Sequence, residues 1–492
     1  MSLAAQLRGL GRDSVIYGIG GLTSRFLSVL MLPLYTSYVS AGDYGRIELL
    51  MATMAVAVVV IRGGANFGFI RFYFLDSEPA YRRGLIRTVF WAQVGYSTLA
   101  LVLCIAFSRQ IADLLGVANH GPNLQGSGTS LVIATAVLLW ANVNYAQMTN
   151  LFRAEKRSVA FSLATLANIA ITIGLTVILV VGYHEGPLGI IVGNLSGTLI
   201  MWFALLAYRR EQLGLQFDPK LLRSMNRFGI PLMAAALAMW VTNFGDRLMI
   251  SKLLHGSYRL VELGQYSLAN KISSAMVLLF TAFQIAWPAF AYSIEDDEEA
   301  KRAYSYVLTY LMLIAAWAAL ALSLFAPWLA HWLGRKPGYW PAASAIPMLA
   351  FSSVFFAGFI VVTVGAGRTR RTGFNWIAAA SGAVFNFGLN FWLIPAYGML
   401  GAAYATLAAY ILLMLIRTVS AQQIFRVEYQ WRRVATIVLA AGALTGIGEA
   451  LSQSLALAFA LTLAFPLLLA VLGFYLPAER RRLKRLLPLR AS

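Results

Sequence analysis

Residues 243–251 read NFGDRLMIS, inside an apolar run that begins near Phe228. An acid and an arginine stand side by side where a stretch this long and this apolar would cross a membrane. Successive side chains on a helix point about 100° apart, and only residues three or four apart face one another. Asp246 and Arg247 are therefore expected to seek different neighbours. Asp246 calls for a basic group on another helix, and Lys271 is a candidate.

The composition around this segment is that of a membrane protein. Of 492 residues, 59% are hydrophobic and 12% charged, against about 25% charged in soluble domains. Apolar blocks recur at roughly 20 residues, the length that crosses about 30 Å of hydrocarbon as helix. They predict fourteen helices, near 14–38, 44–68, 87–108, 129–152, 158–182, 187–208, 227–253, 263–292, 304–328, 342–365, 372–394, 398–421, 434–452 and 455–476. The opening MSLAAQLRGLGRDSV leads straight into a span with no cleavable-signal pattern. Cys104 is the one cysteine, so it makes no intramolecular disulfide.

A net charge of +19 suggests a nucleic-acid partner until its distribution is laid out. With the N-terminus cytoplasmic, 29 basic residues fall on inside segments and five on outside loops. This positive-inside bias makes the tail ERRRLKRLLPLR a topogenic and headgroup anchor and argues against nucleic acid. The expected location is the bacterial inner membrane, with both termini cytoplasmic. No HExxH, CxxC or Walker A pattern is present, and the four histidines lie at loops or span ends. The reading is a non-enzyme with no cofactor and no metal.

The two halves of the chain echo each other. Arg25 precedes Tyr44 of GDYG by nineteen residues, and Arg247 precedes Tyr266 of GQYS by nineteen. Arg157 and Arg371 each precede a Gly-Leu pair at the same distance, and GPLG at 186–189 matches GMLG at 398–401. Spans 1–6 thus repeat as spans 7–12. An even number of spans per copy implies a pseudo-twofold axis along the membrane normal. The expected fold is all-α and polytopic: a six-helix bundle over 1–210, a second over 211–425, and helices 13–14 with the basic cytoplasmic tail over 426–492. Two facing bundles enclose a central cleft of the kind transporters use for alternating access.

The remaining five of the 39 basic residues are assigned to the spans themselves: Arg25, Arg46, Arg62, Arg247 and Lys271. A charge at mid-span costs about 2.5–3.5 kcal/mol, so such residues face a cavity or a partner. Arg25 and Arg247 occupy matching places in the repeat and make a cationic pair suited to phosphate or carboxylate oxygens. Arg62 precedes Gly63-Gly64, where a helix can break. Arg46 is near the outer surface and is expected to meet headgroups. Glu48 and Glu449 are candidate proton carriers near span ends. Asn243 and Gln284 are candidates for cavity lining, the alternative being polar glue between helices.

Several segments carry a family resemblance. LPLYTSYVSAGDYGRIELL (32–50), FIRFYF (69–74), RFGIPLMAAALAMWVTNFGDRLMIS (227–251), GQYSLANKIS (264–273), FTAFQIAWPAFAYS (280–293) and NFWLIPAYGMLGAAYATL (390–407) resemble bacterial polysaccharide-biosynthesis membrane proteins. These are lipid-linked oligosaccharide flippases of the multidrug/oligosaccharidyl-lipid/polysaccharide exporter superfamily. The resemblance implies an undecaprenyl-diphosphate-linked oligosaccharide carried from the cytoplasmic to the periplasmic leaflet. It places substrate binding on Arg25, Arg247 and Lys271, with Arg62 added from the cavity argument above. It places gating or ion coupling on Asp246, to which Glu48 is joined. Expected partners are the polyprenyl-diphosphate-linked oligosaccharide, membrane lipids, H+ or Na+ as coupling ion, and polysaccharide polymerase and assembly proteins. The alternatives are a cation-coupled multidrug exporter, a peptidoglycan-precursor flippase and a non-transporting scaffold.

Overall fold

Hydrocarbon offers no water to a peptide group, so each spanning segment must pair its own N–H and C=O groups as helix. The computed structural model describes residues 23, 26–118, 125–210, 214–256, 258–368, 374–451, 454–477 and 479, and every regular element among them is helical. Within those helices, the side chains of 235, 238, 239, 241–243, 282, 285, 289, 365–368 and 374–380 lie outside the description.

The chain runs through α1 (Leu32–Tyr38), α2 (Ala41–Tyr73), α3 (Pro79–Ala106), α4 (Ser108–Leu115), α5 (Gly128–Ala154), α6 (Ser158–Val177), α7 (Gly186–Tyr208), α8 (Pro219–Leu253) and α9 (Arg259–Ser273). It continues through α10 (Ala275–Ser293), α11 (Asp297–Leu324), α12 (Ala326–Leu333), α13 (Ile346–Arg368), α14 (Phe374–Tyr397), α15 (Met399–Ile424), α16 (Trp431–Ala450) and α17 (Leu455–Val471). A 3-10 stretch over Pro337–Ala345 leads into α13. The starts follow capping chemistry, in which a side-chain oxygen takes one of the free N–H groups of the first turn. Ser40, Ser127, Asp218, Asp296 and Ser454 each accept an amide proton at the head of α2, α5, α8, α11 and α17.

Among the described residues, ten helical stretches are long and apolar enough to cross a membrane, and Phe26–Tyr38 and Leu455–Val471 are shorter apolar helices. The remaining expected spans, near 227–253 and 372–394, are occupied by α8 and α14. The expected span at 263–292 is two helices, α9 and α10, parted at Ser274. Large apolar side chains such as Leu99, Leu163, Leu439, Leu463 and Leu467 stand exposed. In water this would be an aggregation surface; against lipid tails it is the expected outer face.

The described residues group into two compact units. One holds residues 1–268, 331–341 and 383–402; the other holds 269–330, 342–382 and 403–492. In the first, α2 lies along α8, α3 packs on α5, and α7 covers α5 and α6. In the second, α11 packs on α13 and α16, with α17 beside α16. Its core joins Met312, Ala315, Ala316, Ala319, Val354, Ala357 and Val361, and the alanines among them let the helices approach closely. Arg417 belongs here too. It lies near the end of the predicted span at 398–421, within α15, fully buried, and donates to the Thr363 hydroxyl and carbonyl at 3.3 and 3.4 Å.

Within the second unit, a clasp ties the segment after α17 to α16 and α11. Arg433 of α16 donates to Glu479 at 2.9 Å, and the Glu479 carboxylate also accepts from the Tyr310 hydroxyl (2.5 Å) and the Leu476 amide (2.9 Å). Burial opposes the charged form of Glu479, but these donors outweigh it and hold its pKa below the ordinary 4.5. A carboxylate with a depressed folded-state pKa contributes stability above its unfolded value, lost as pH falls through the folded one. The clasp is therefore expected to hold through neutral pH and to open only below pH 4.5. Glu479→Gln should open it at every pH, and hydrogen exchange at the Leu476 amide should rise about 10- to 100-fold, the equivalent of a lost charge-assisted bond. Unchanged exchange would remove the clasp's role.

Candidate functional site

In the first unit, the polar residues at the head of α2 form a buried network. Ser40 caps the helix by accepting from the Asp43 amide at 3.1 Å. Arg46 pairs with Asp43 at 3.1 Å and donates to the carbonyls of Gln125 and Gly126 at 3.1 and 3.4 Å. The Gln125 amide in turn donates to Asp43 at 3.2 Å. Arg46 is fully buried. The expected headgroup contact is thus corrected: the guanidinium fastens the connection before α5 to α2, because that loop folds over it and offers two carbonyls.

A comparable tie is made from α9. Gln265 of α9, aligned with Asp43, donates to the Gly338 carbonyl at 2.7 Å and so holds the corresponding loop of the second half. The Tyr339 hydroxyl then donates to the carbonyls of Val39 and Ser40. Helices α2 and α9 cross at Gly45 and Gly264, where a Cβ on either glycine would overlap a carbonyl oxygen of the other helix.

Just inside this crossing lie Asp246 and Arg247, and they part as helix geometry requires. Arg247 reaches Glu48 of α2 at 3.6 Å and stands over the Phe244 ring at 5.2 Å. Glu48 also shares a hydrogen bond with Tyr44. Asp246 accepts from the Tyr266 hydroxyl at 2.7 Å and from Asn390 Nδ2 at 2.8 Å. The repeat-related tyrosines, Tyr44 and Tyr266, are both buried and each serves one carboxylate. Removing one member of such a buried pair leaves an uncompensated charge at about 3–5 kcal/mol.

The second polar region lies deeper in α2. Gly63 adopts φ 58°, ψ −177° and interrupts the helix, as the Gly63-Gly64 pair led one to expect. The Ala65 amide donates to Asn226 Oδ1 of α8 at 2.8 Å, and the Ile61 carbonyl accepts from Gln93 Nε2 of α3 at 3.3 Å. Left bare in an apolar surround, each group would cost about 1–3 kcal/mol. Beside the break runs an amide layer. Asn66 donates to Gln147 at 2.7 Å and to Gln93 at 3.4 Å, and accepts from Asn150 at 3.2 Å. Arg62 is half-buried here and has no acidic partner among the described residues; its Nε makes no hydrogen bond. Arg153, one turn beyond Asn150, adds repulsion rather than relief.

Sequence reading missed Asn66, Gln93, Asn150 and Asn226. A signal was present: Gln147, Asn150 and Arg153 recur every three residues along one face of an apolar span. Of the other expected site residues, Arg25 lies outside the described residues, as does the Asn243 side chain. Lys271 is half-buried in the last turn of α9, and Gln284 is half-buried on α10, both in the second unit. Among the described residues, no cluster of three His, Cys, Asp or Glu could hold a metal.

A family model described as polysaccharide biosynthesis protein matches residues 38–334, more than half of the chain. The chain belongs to that family. Its fold is also that of known carriers. The lipid II flippase MurJ, in an inward closed conformation, superposes with a TM-score of 0.72 at 14% identity, over 93% of this chain and 100% of that one. An inward-facing multidrug resistance MATE transporter of the MOP superfamily gives 0.61 at 15% identity, over 85% of this chain and 98% of that one. A curated relative, an uncharacterized membrane protein of Methanocaldococcus jannaschii, is 27% identical over 215 residues, 41% of this chain and 39% of its own length. The chain thus spans about two fifths of that curated relative. The chain is an all-α, multi-pass membrane protein of the polysaccharide biosynthesis family, with the fold shared by the lipid II flippase MurJ and the MATE transporter.

The Glu48–Arg247 pair predicts a gating phenotype for this polysaccharide biosynthesis protein. With Cys104→Ser as background, Val39→Cys should react slowly with an impermeant thiol reagent, since Val39 is fully buried. Adding Glu48→Gln should speed labelling by at least about tenfold, the equivalent of 1.4 kcal/mol. Equal rates with and without Glu48 would show that the pair does not hold this end shut.

Proposed function

We propose that this protein moves an undecaprenyl-diphosphate-linked oligosaccharide from the cytoplasmic to the periplasmic leaflet of the bacterial inner membrane by alternating access. The observation that carries this reading is Arg62: a half-buried guanidinium beside a broken helix, with no acidic partner among the described residues. Elsewhere in the first unit, the buried charges at the head of α2 and the end of α8 are compensated within the protein. A guanidinium left uncompensated suits an anion, and its planar fork matches diphosphate oxygens. Arg153 nearby adds to the same potential.

Arg25 and Lys271 complete the proposed substrate set, and Arg247 joins it when its bond to Glu48 opens. The two six-helix bundles, 1–210 and 211–425, rock about the site, with both termini cytoplasmic. The network of Asp43, Arg46, Glu48 and Arg247 then lies at the periplasmic end and closes it. Asp246 serves the coupling ion, H+ or Na+. Its neighbour Asn390 is fully buried and its Oδ1 has no hydrogen-bond partner, so an oxygen is left over for a cation. The membrane potential, negative inside, favours outward movement of an anion by about 2.3 kcal/mol per charge per 100 mV, so coupling serves to reset the empty carrier. A cationic drug would meet repulsion at Arg62 and Arg153, which disfavours the multidrug reading.

In a strain lacking the gene, Arg62→Gln should restore delivery of lipid-linked repeat units about 10- to 100-fold less well than the wild type, the range of a lost charge-assisted bond. Arg62→Lys, which keeps the charge but not the fork, should restore it in part. Full restoration by Arg62→Gln at equal protein level would remove Arg62 from the site.

A further inference from the structure

We propose that Asn226 and Gln93 are positioning residues that hold α2 broken beside Arg62, and that the break heals into continuous helix when α8 draws Asn226 away. The two backbone groups these side chains serve are the two ends of one α-helical rung. In an uninterrupted helix the N–H of residue i bonds the C=O of residue i−4, so Ala65 would close on Ile61. Here the Ala65 amide donates to Asn226 Oδ1 at 2.8 Å, and the Ile61 carbonyl accepts from Gln93 Nε2 at 3.3 Å. One side chain supplies the missing acceptor and the other the missing donor.

The chemistry of the break is separable from its packing. A Cβ on Gly63 would meet nothing nearer than Asn226 Oδ1 at 3.8 Å and Tyr96 at 3.9 Å. Glycine is needed there for its φ of +58° with extended ψ, a conformation other residues rarely adopt, and not for space. The next residue is the reverse case. A Cβ on Gly64 would fall 2.5 Å from the Asn226 carbonyl, and one on Gly229 would overlap the Gly64 carbonyl. The two backbones touch, so the Asn226 side chain reaches Ala65 only while α8 lies against α2. Gln93 is fixed differently: it is 2% exposed, and its own oxygen is engaged by Asn66.

The cap at Ala65 therefore reports contact between α2 and α8. When α8 leaves, the amide loses its acceptor, and the Ile61 carbonyl is the replacement four residues back. Healing turns the segment before Gly63 into helical phase with Asn66, and so moves the Arg62 guanidinium relative to Asn150 and Arg153. Access of an anion to Arg62 is then set by the position of α8.

The test uses the full-length Cys104→Ser protein in lipid nanodiscs, with spin labels at Val56→Cys and Ile70→Cys and no substrate present. Fourteen residues of unbroken helix give a rise of about 21 Å. The wild type should show a distance distribution displaced from that of a straight helix. Asn226→Ala and Gln93→Met should each shift population to the straight-helix distance. Asn226→Asp, which keeps the acceptor, should retain the wild-type distribution, and Gly63→Ala should give the straight helix with Asn226 intact. The proposal is overturned if Asn226→Ala and Gln93→Met both leave the distribution unchanged, or if Asn226→Asp behaves as Asn226→Ala. Should one variant fail to fold, the other decides the matter by the same distance. Because no substrate is involved, failure of the transport reading leaves this result standing.

Discussion

The contact between Glu48 and Arg247 sets the terms for the rest of the first unit. Each charge is carried into an apolar bundle by a long helix, α2 in one case and α8 in the other. Neither is tolerable alone there, since a buried charge stripped of its partner costs about 3–5 kcal/mol. Pairing them fixes α8 against α2, and the neighbouring polar groups fall into place around that pair. Tyr44 steadies Glu48, and Tyr266 with Asn390 steadies Asp246. The loops before α5 and before α13 are tied down by Arg46 and Gln265.

The break at Gly63 answers the same constraint in another way. A membrane helix can be interrupted only where something else satisfies the freed backbone, and here two amide side chains do so. Arg62 at the break has no acidic partner among the described residues. The first unit thus holds two kinds of arginine: Arg46 and Arg247, each with an acidic partner, and Arg62, with none among the described residues. That contrast, more than the total of positive charge, gives the family its proposed substrate class in this chain.

Much of this was legible from residue order because the underlying physics is local. Apolar block length gave membrane spans, and adjacency on a helix gave the separation of Asp246 from Arg247. The Gly63-Gly64 pair gave the helix break, and spacing from arginine to tyrosine gave the relation between Tyr44 and Tyr266. The losses have a common cause: they depend on partners far away in the chain. Arg46 looked like a headgroup ligand because the carbonyls of Gln125 and Gly126 lie some eighty positions on. Glu48 as the counter-charge of Arg247, and Asn226 as the cap of Ala65, are contacts between the two halves of the repeat. Arg417, near the end of a span, is buried because Thr363, 54 positions earlier, gives it an acceptor.

The central claim is that Arg62 marks a path for an anionic lipid-linked substrate through this fold. The most direct measurement is flipping in proteoliposomes: the purified protein is reconstituted with a fluorescent undecaprenyl-diphosphate-linked oligosaccharide on one leaflet, and its arrival on the other is read by quenching. The account predicts movement that depends on the protein and falls when Arg62 becomes glutamine, with no comparable movement of a lipophilic cation. Transport of the cation, with the diphosphate-linked lipid left in place, would contradict it.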